Sequence, residues 1–422
     1  MKAKIVSLIS ALLATLFVFN VVGCSRKVKA ENLMDGITPQ SYSGREVDEA
    51  FELAQMQFAV NLFKGTASQS GNQNTLISPL SILLALAMTA NGAGGETLAQ
   101  MESVLGMSAA DLNEYLYSYV KSMSNNEYGS VSLANSIWIK EDDNLEVKHE
   151  FLQTIANYYS ADIFRAPFDG STVKDINNWV HNNTDGLVNK ALDEINKDAV
   201  LYLINSLLFE ADWPSIYERS AVINDTFTAK TGEEQSAKMM CSEESRYIEP
   251  ENATGFIKRY KNQAYSFVGI LPNEGVNIDE YISSLNASDL LEQLKNPYGY
   301  QTIVRLPKFN YDFSINLNDV LKSMGMPLAF NGYYADFNKM ATYAGGQYDY
   351  NVYIENILHK TSITVAEKGT RAGAITVIEF SKCGATMPPE IIKYVYLDRP
   401  FVYMIIDNKT KTPIFIGSVN KL

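Results

Sequence analysis

Apolar and polar positions change their rhythm several times along the chain, and each change predicts an element. Lys2 and Lys4 precede an apolar run over 5–22. The next stretch, 24–48, is polar and holds Gly36, Pro39 and Gly44, a composition that predicts a tether of ~20 residues. Helical spacing begins at 49–64, where Phe51, Ala54, Phe58 and Leu62 share one face. Ser78 followed by Pro79 predicts the cap and first turn of an apolar helix reaching Ala90, and the Gly-rich run 91–97 reads as its stop. Alternation over 131–140 predicts a strand; 151–159 reads as a helix, 161–167 as a strand, and 173–187 as a helix ending near Asn183. Residues 200–209 have the composition of a buried strand, and 226–247, 255–271 and 301–313 are strand-rich. A short helix over 317–324 stops at Gly325, a strand covers 357–365, and 398–408 with 413–417 form a C-terminal hairpin. The mixture is α+β. No repeat, low-complexity tract or second linker interrupts it, so 49–422 reads as one domain although length alone would suggest two or three.

One stretch does not end where a strand should. Glu367-Lys368-Gly369-Thr370-Arg371-Ala372-Gly373-Ala374 continues through β-branched residues to Phe380. With period two, Thr370, Ala372, Ala374, Thr376 and Ile378 face one way, and Arg371, Gly373, Ile375, Val377 and Glu379 the other. The first face is small or apolar throughout, so the segment can slide into a sheet with that face on a core. Residues 381–389 then have loop composition, ending in Pro388-Pro389. A strand candidate thus leads into a protease-accessible tip.

Composition narrows the chemistry. The 422 residues are 46% hydrophobic and 20% charged, ample for a large core. A net charge of −13 and a pI near 4.9 argue against a nucleic-acid partner. Three Cys and three His do not support a zinc-type cluster, and no metal or cofactor is implied. The Gly-rich 91–97 lacks the Lys-Ser/Thr ending of a phosphate loop and begins no βαβ unit. The N-terminus looks like a bacterial lipoprotein signal over 1–23, closing in Val21-Val22-Gly23-Cys24, with Cys24 the lipidated first residue of an exported, membrane-anchored protein. An uncleaved anchor is the alternative, although Ser, Thr and Asn interrupt a run of barely spanning length. A single bridge between Cys241 and Cys383 stays open, and cysteine usage does not point to a disulfide scaffold.

The segment from Glu367 to Ala374 resembles the hinge of inhibitory serpins: an acid, a charged residue, Gly, Thr, any residue, then small residues. Further segments match the family in order from about Glu49 to the last residue. They include 74–82, 91–106, Asn205 to Trp213, Leu306-Pro307-Lys308-Phe309, Ala335-Asp336-Phe337, 357–365 and the C-terminal hairpin. The resemblance implies the serpin fold, with three β-sheets, about eight or nine helices and an exposed reactive-centre loop. It implies that Ser78, Ser81, Asn205 and His359 form the buried shutter beneath an opening between central strands, with Trp213 at the breach above it. A lone His on a strand is more often a satisfied core residue than a catalyst, and His359 is expected to hydrogen-bond with Asn205. Trp213 is expected to pack in the core with its N–H satisfied.

The resemblance also implies a mechanism. In the family a protease serine or cysteine attacks a bait bond in the loop and forms an acyl-enzyme. The freed loop then enters the central sheet and deforms the enzyme's oxyanion hole, on which deacylation depends. This sequence departs from the hinge pattern at Gly373 and Ile375, where Ala is usual, but both lie on the outward face. Family spacing puts the cut at Cys383–Gly384, suiting elastase-like or subtilisin-like pockets. A cut one residue earlier, Lys382–Cys383, suits trypsin-like enzymes. The segment after Cys383 is longer than in many members, so both bonds stay open. The expected partner of this monomer is a serine protease, with a cysteine protease as the second class. Two other readings fit the same residues: Cys383 as a nucleophile with His359 as its base, and a non-inhibitory serpin-fold binding module. The small Thr370 and Ala372 favour the inhibitor.

Overall fold

The computed structural model describes residues 26–40, 42–123, 125–184, 186, 190–344, 351–371 and 391–422. Among the described residues there are nine α-helices: α1 (Glu49–Ser70), α2 (Pro79–Ala90), α3 (Gly95–Leu105), α4 (Ala109–Ser122), α5 (His149–Tyr158), α6 (Gly170–Asn183), α7 (Ile278–Ser284), α8 (Ala287–Lys295) and α9 (Asn318–Met324). Their starts follow side-chain chemistry. Asp48 accepts the Phe51 N–H at 3.0 Å to open α1, and Ser78 accepts the Ser81 N–H at 3.4 Å, with Pro79 in the first turn of α2. Every residue of α2 is buried, as suits a helix enclosed on all sides, and it lies against β strands from two sheets.

The central sheet has seven strands in the order β1 (Glu31–Asn32), β5 (Asp162–Ala166), β3 (Gly129–Lys140), β6 (Leu201–Asp212), β16 (Gly369–Arg371), β15 (Asn356–Val365), β13 (Phe309–Asn316). A six-stranded sheet runs β2 (Thr75–Ile77), β19 (Pro413–Val419), β18 (Phe401–Asp407), β11 (Tyr265–Pro272), β10 (Ala253–Arg259), β9 (Tyr247–Ile248). A four-stranded sheet runs β17 (Ile392–Tyr396), β12 (Gln301–Pro307), β8 (Glu234–Glu244), β7 (Val222–Thr228). The expected three sheets are therefore joined by a small fourth, β14 (Ala341–Tyr343) against β4 (Leu145–Val147). Strands β18 and β19 are buried throughout and form the expected terminal hairpin, which explains their unbroken apolar sequence. Helix α6 lies on β3 and β6 of the central sheet.

The stretch read above as a spacer corrects the sequence reading. The described part of 24–48 does not hang free but is laid along the body. Asp175 of α6 accepts the backbone N–H groups of Lys29 and Ala30 at 3.0 and 2.8 Å. Strand β1 pairs antiparallel with the edge strand β5, and the Leu33 N–H continues to Ile163 O at 2.7 Å. Leu33, Met34 and Ile37 pack on the main core. Asn157 of α5 then accepts the Gln40 N–H at 2.8 Å, and Arg45 bonds Asp111 and Glu114 of α4 at 2.8 and 3.2 Å. At Gly44 a Cβ would stand 2.1 Å from Ser118 Oγ, so only glycine permits this approach. The backbone polar groups that a free tether would give to water are here satisfied by the body.

Candidate functional site

The site is an opening in the central sheet, between β6 and β15. At their lower ends the two strands pair in parallel, Tyr202 to Ile204 with Asn356 to Leu358. At their upper ends β16 lies between them, antiparallel to both: Gly369, Thr370 and Arg371 face Asp212, Ala211 and Glu210 on β6, while Thr370 and Arg371 face Val365 and Thr364 on β15. Among the described residues no strand pairs with 205–209 on the β15 side or with 359–363 on the β6 side.

The upper end is built to hold the start of the hinge. A Cβ on Gly369 would sit 2.1 Å from Ala211 O, so the backbone approach demands glycine. Thr370 is 1% exposed, and its Oγ1 takes a 2.6 Å hydrogen bond from the hydroxyl of Tyr260. The turn before it is tied by three donors: Trp213 N–H to Lys368 O at 2.7 Å, Tyr217 N–H to Glu367 O at 3.0 Å, and Trp213 Nε1–H to Ala366 O at 2.9 Å. Trp213 is buried, with its indole N–H satisfied. Burial alone would raise the Glu367 carboxyl, but the Lys308 ammonium at 2.7 Å holds it below its ordinary value.

Under this turn lies an ion pair with little solvent access. Lys258 Nζ is 2.6 Å from Glu244 Oε1, and the two side chains are 9% and 13% exposed. Lys258 also stands over the rings of Trp213 and Tyr217, at 5.3 and 5.0 Å from their centroids. Tyr217 donates to Ser242 Oγ, and Ser242 donates on to Glu244. Burial works against the Lys258 charge, yet Glu244 and Tyr217 raise its pKa above the ordinary lysine value.

The lower end carries the four residues assigned to the shutter. His359 Nε2 accepts the backbone N–H of Ser78 at 3.0 Å, so that nitrogen is unprotonated. The proton must then sit on Nδ1, which reaches Asn205 Oδ1 at 3.2 Å. Ser78, Ser81, Asn205 and His359 are all buried, and Ser78 Oγ caps the Ser81 N–H. Desolvation lowers the His359 pKa from 6.5 to about 3, so the ring is neutral. With both ring nitrogens engaged, His359 has no free lone pair for a general base. The Nδ2 of Asn205 and the Oγ of Ser81 have no partner among the described residues.

The structure thus brings together Ser78, Ser81, Asn205 and His359 at one end of the opening, and Glu367, Lys368, Gly369, Thr370 and Trp213 at the other. Arg371 is placed by its backbone register. Ala372, Gly373, Ala374, Lys382, Cys383, Gly384 and Cys24 lie outside the described residues. Cys241, on β8, bonds no other cysteine among the described residues, and the bridge to Cys383 lies outside them. Sequence reasoning missed Tyr260, Lys258 and Glu244. Tyr260 reads as one more aromatic at a strand end, and its partner Thr370 lies far away in the chain, so no local pattern announces the bond.

The arrangement agrees with what the chain is similar to. The sequence model of the family described as serpin (serine protease inhibitor) matches residues 53–422. An uncharacterised serpin-like protein of Thermococcus kodakarensis is 30% identical over 368 residues, 85% of this chain and 83% of that one. The structure of tengpin, a thermophilic serpin, in its native state matches with a TM-score of 0.87 at 46% identity, covering 94% of this chain and 100% of that one. Its latent-state structure matches less closely, with a TM-score of 0.78 at 43% identity, covering 90% and 100%. Over residues 53–422 this chain belongs to the serpin family, whose members are typically protease inhibitors.

Proposed function

We propose that this serpin is a suicide inhibitor of serine proteases, exported and anchored to a bacterial membrane through a lipid on Cys24. The observation that carries the inhibitory reading is the hinge: Gly369 to Arg371 already pair with β6, Thr370 and Arg371 also pair with β15, and the register they set can be continued. Each further residue of the loop moves one residue back along β6 and β15. Ala372 then falls opposite Phe209 and Ile363, Ala374 opposite Leu207 and Thr361, and Thr376 opposite Asn205 and His359. The partners of this column are buried or part-buried, and the arriving side chains are small, so insertion meets neither a clash nor a buried charge. Thr376 would bring a hydroxyl to the unpartnered Nδ2 of Asn205.

Insertion requires the short ladder from Tyr202–Asn356 to Ile204–Leu358 to open. The target's serine Oγ attacks the carbonyl of the bait residue, Cys383 or Lys382, forming an ester while the amine of the next residue leaves. Residues 369–383, as a strand at ~3.3 Å each, would carry the bound enzyme roughly 50 Å along the body before water cleaves the ester. Deformation of the oxyanion hole then holds the acyl-enzyme.

The test uses the chain from residue 26 with trypsin, elastase and a subtilisin-like protease. The expected result is a complex that survives SDS, with a released peptide beginning at Gly384 or at Cys383. Clean cleavage without a complex with any of them would overturn the inhibitory reading in favour of a binding module. For the anchor, Cys24→Ser should move the full chain out of the membrane fraction, and unchanged fractionation would refute lipidation there.

A further inference from the structure

Tyr260 follows β10 directly, and its N–H bonds Tyr265 O at 3.0 Å to close the turn into β11. Its ring is fully buried, stacked on Trp213 with centroids 4.5 Å apart and planes 5° apart, and edge-on to Phe209 at 5.4 Å. The phenol therefore has little freedom to turn. Its hydroxyl is aimed at one place, the Oγ1 of Thr370 at 2.6 Å. Thr370 reaches that place only when the hinge lies between β6 and β15.

We propose that Tyr260 is a positioning residue, a latch whose hydroxyl holds the hinge at its present depth in the sheet. The inference rests on the inhibitory reading for its consequence, but the latch itself is a property of the uncleaved chain. Both hydroxyls are buried, so withdrawing the hinge leaves the Tyr260 O–H facing aromatic rings without its partner. One such buried bond favours the docked hinge by about tenfold. Docking also gives insertion a head start. After the bait bond is cut, insertion competes with hydrolysis of the ester, and a hinge already paired through three residues shortens the first of these. Without the latch, a larger share of encounters ends with free enzyme and cleaved serpin.

Tyr260→Phe in the otherwise intact chain removes the hydroxyl and keeps the ring on Trp213. Amide hydrogen exchange at Thr370 and Arg371 should accelerate about tenfold, while the amides of Tyr202 to Ile204 and Asn356 to Leu358 stay unchanged. The number of serpin molecules consumed per protease should rise severalfold. Thr370→Val should reproduce the same exchange pattern, and the double variant should exchange no faster than either single one. It also reads the bond from the other side if Tyr260→Phe does not fold. Unchanged exchange at the hinge, acceleration spread through β6 and β10, or additive effects in the double variant would each overturn the latch. Exchange is read without a protease, so failure of the chain to inhibit any enzyme would be seen separately.

Discussion

Acid should weaken the seam between β6 and β15 through one side chain. His359 bridges the two strands as a neutral ring, accepting from Ser78 and donating to Asn205. Its pKa falls from 6.5 to about 3 on folding because burial strips water from the charged form. The unfolded chain therefore binds the proton first, and the folded state is disfavoured as pH drops. The stabilisation is complete above about pH 6.5, declines as pH falls from there towards 3, and is gone below. At pH 5 the unfolded ring is favoured by a factor of about 33, a loss of ~2 kcal/mol relative to pH 7.5 or above. Chemical denaturation followed by tryptophan fluorescence at pH 7.5 and 5.0 measures it, with His359→Gln as the reference. Glutamine can still accept from Ser78 and donate to Asn205 but does not titrate, and carboxylate effects are common to both proteins. Wild type should lose about 2 kcal/mol more than the variant over that interval. Equal losses would refute the assignment of a neutral, doubly bonded ring.

Other substitutions probe the hinge and its supports. Lys258→Met leaves Glu244 charged in a nearly closed site and should cost about 3–5 kcal/mol by denaturation midpoint, most of it recovered by adding Glu244→Gln. Gly369→Ala sets a Cβ 2.1 Å from Ala211 O, so the hinge should leave the sheet, visible as fast exchange at Thr370 and more serpin consumed per protease. Gly44→Val drives a side chain into Ser118 and the Glu114 carbonyl, and should undock the N-terminal segment, read as new proteolytic nicks within 26–48 and a lower melting temperature.

Much of this architecture was legible where the chain carries local signals. Ser78-Pro79 announced the start of α2, Gly325 the end of α9, and the terminal apolar runs the buried hairpin. The hinge was legible because it must serve two environments, and Thr370 on its small face is indeed buried in the sheet. The N-terminal segment was not, for a physical reason. Its apolar residues are few and its backbone is held by Asp175, Asn157 and Asn182, side chains more than 100 residues distant. A segment satisfied by remote acceptors has the composition of a tether without behaving as one. Tyr260 and the Lys258–Glu244 pair were hidden likewise, since a single tyrosine, lysine or glutamate in a strand-rich region is ordinary until its partner is placed.

Inhibition requires that the loop after Arg371 can become a strand between β6 and β15. The most direct test is to nick the loop within 381–385 with a protease that is not trapped, then compare melting of the nicked and intact chains. If residues 372–380 insert, they pair on both sides and fill the opening, and the nicked chain should melt higher; a gain of ~5 kcal/mol alone would raise the midpoint by about 6 °C. A nicked chain that melts at the same temperature as the intact one, or lower, would contradict the account.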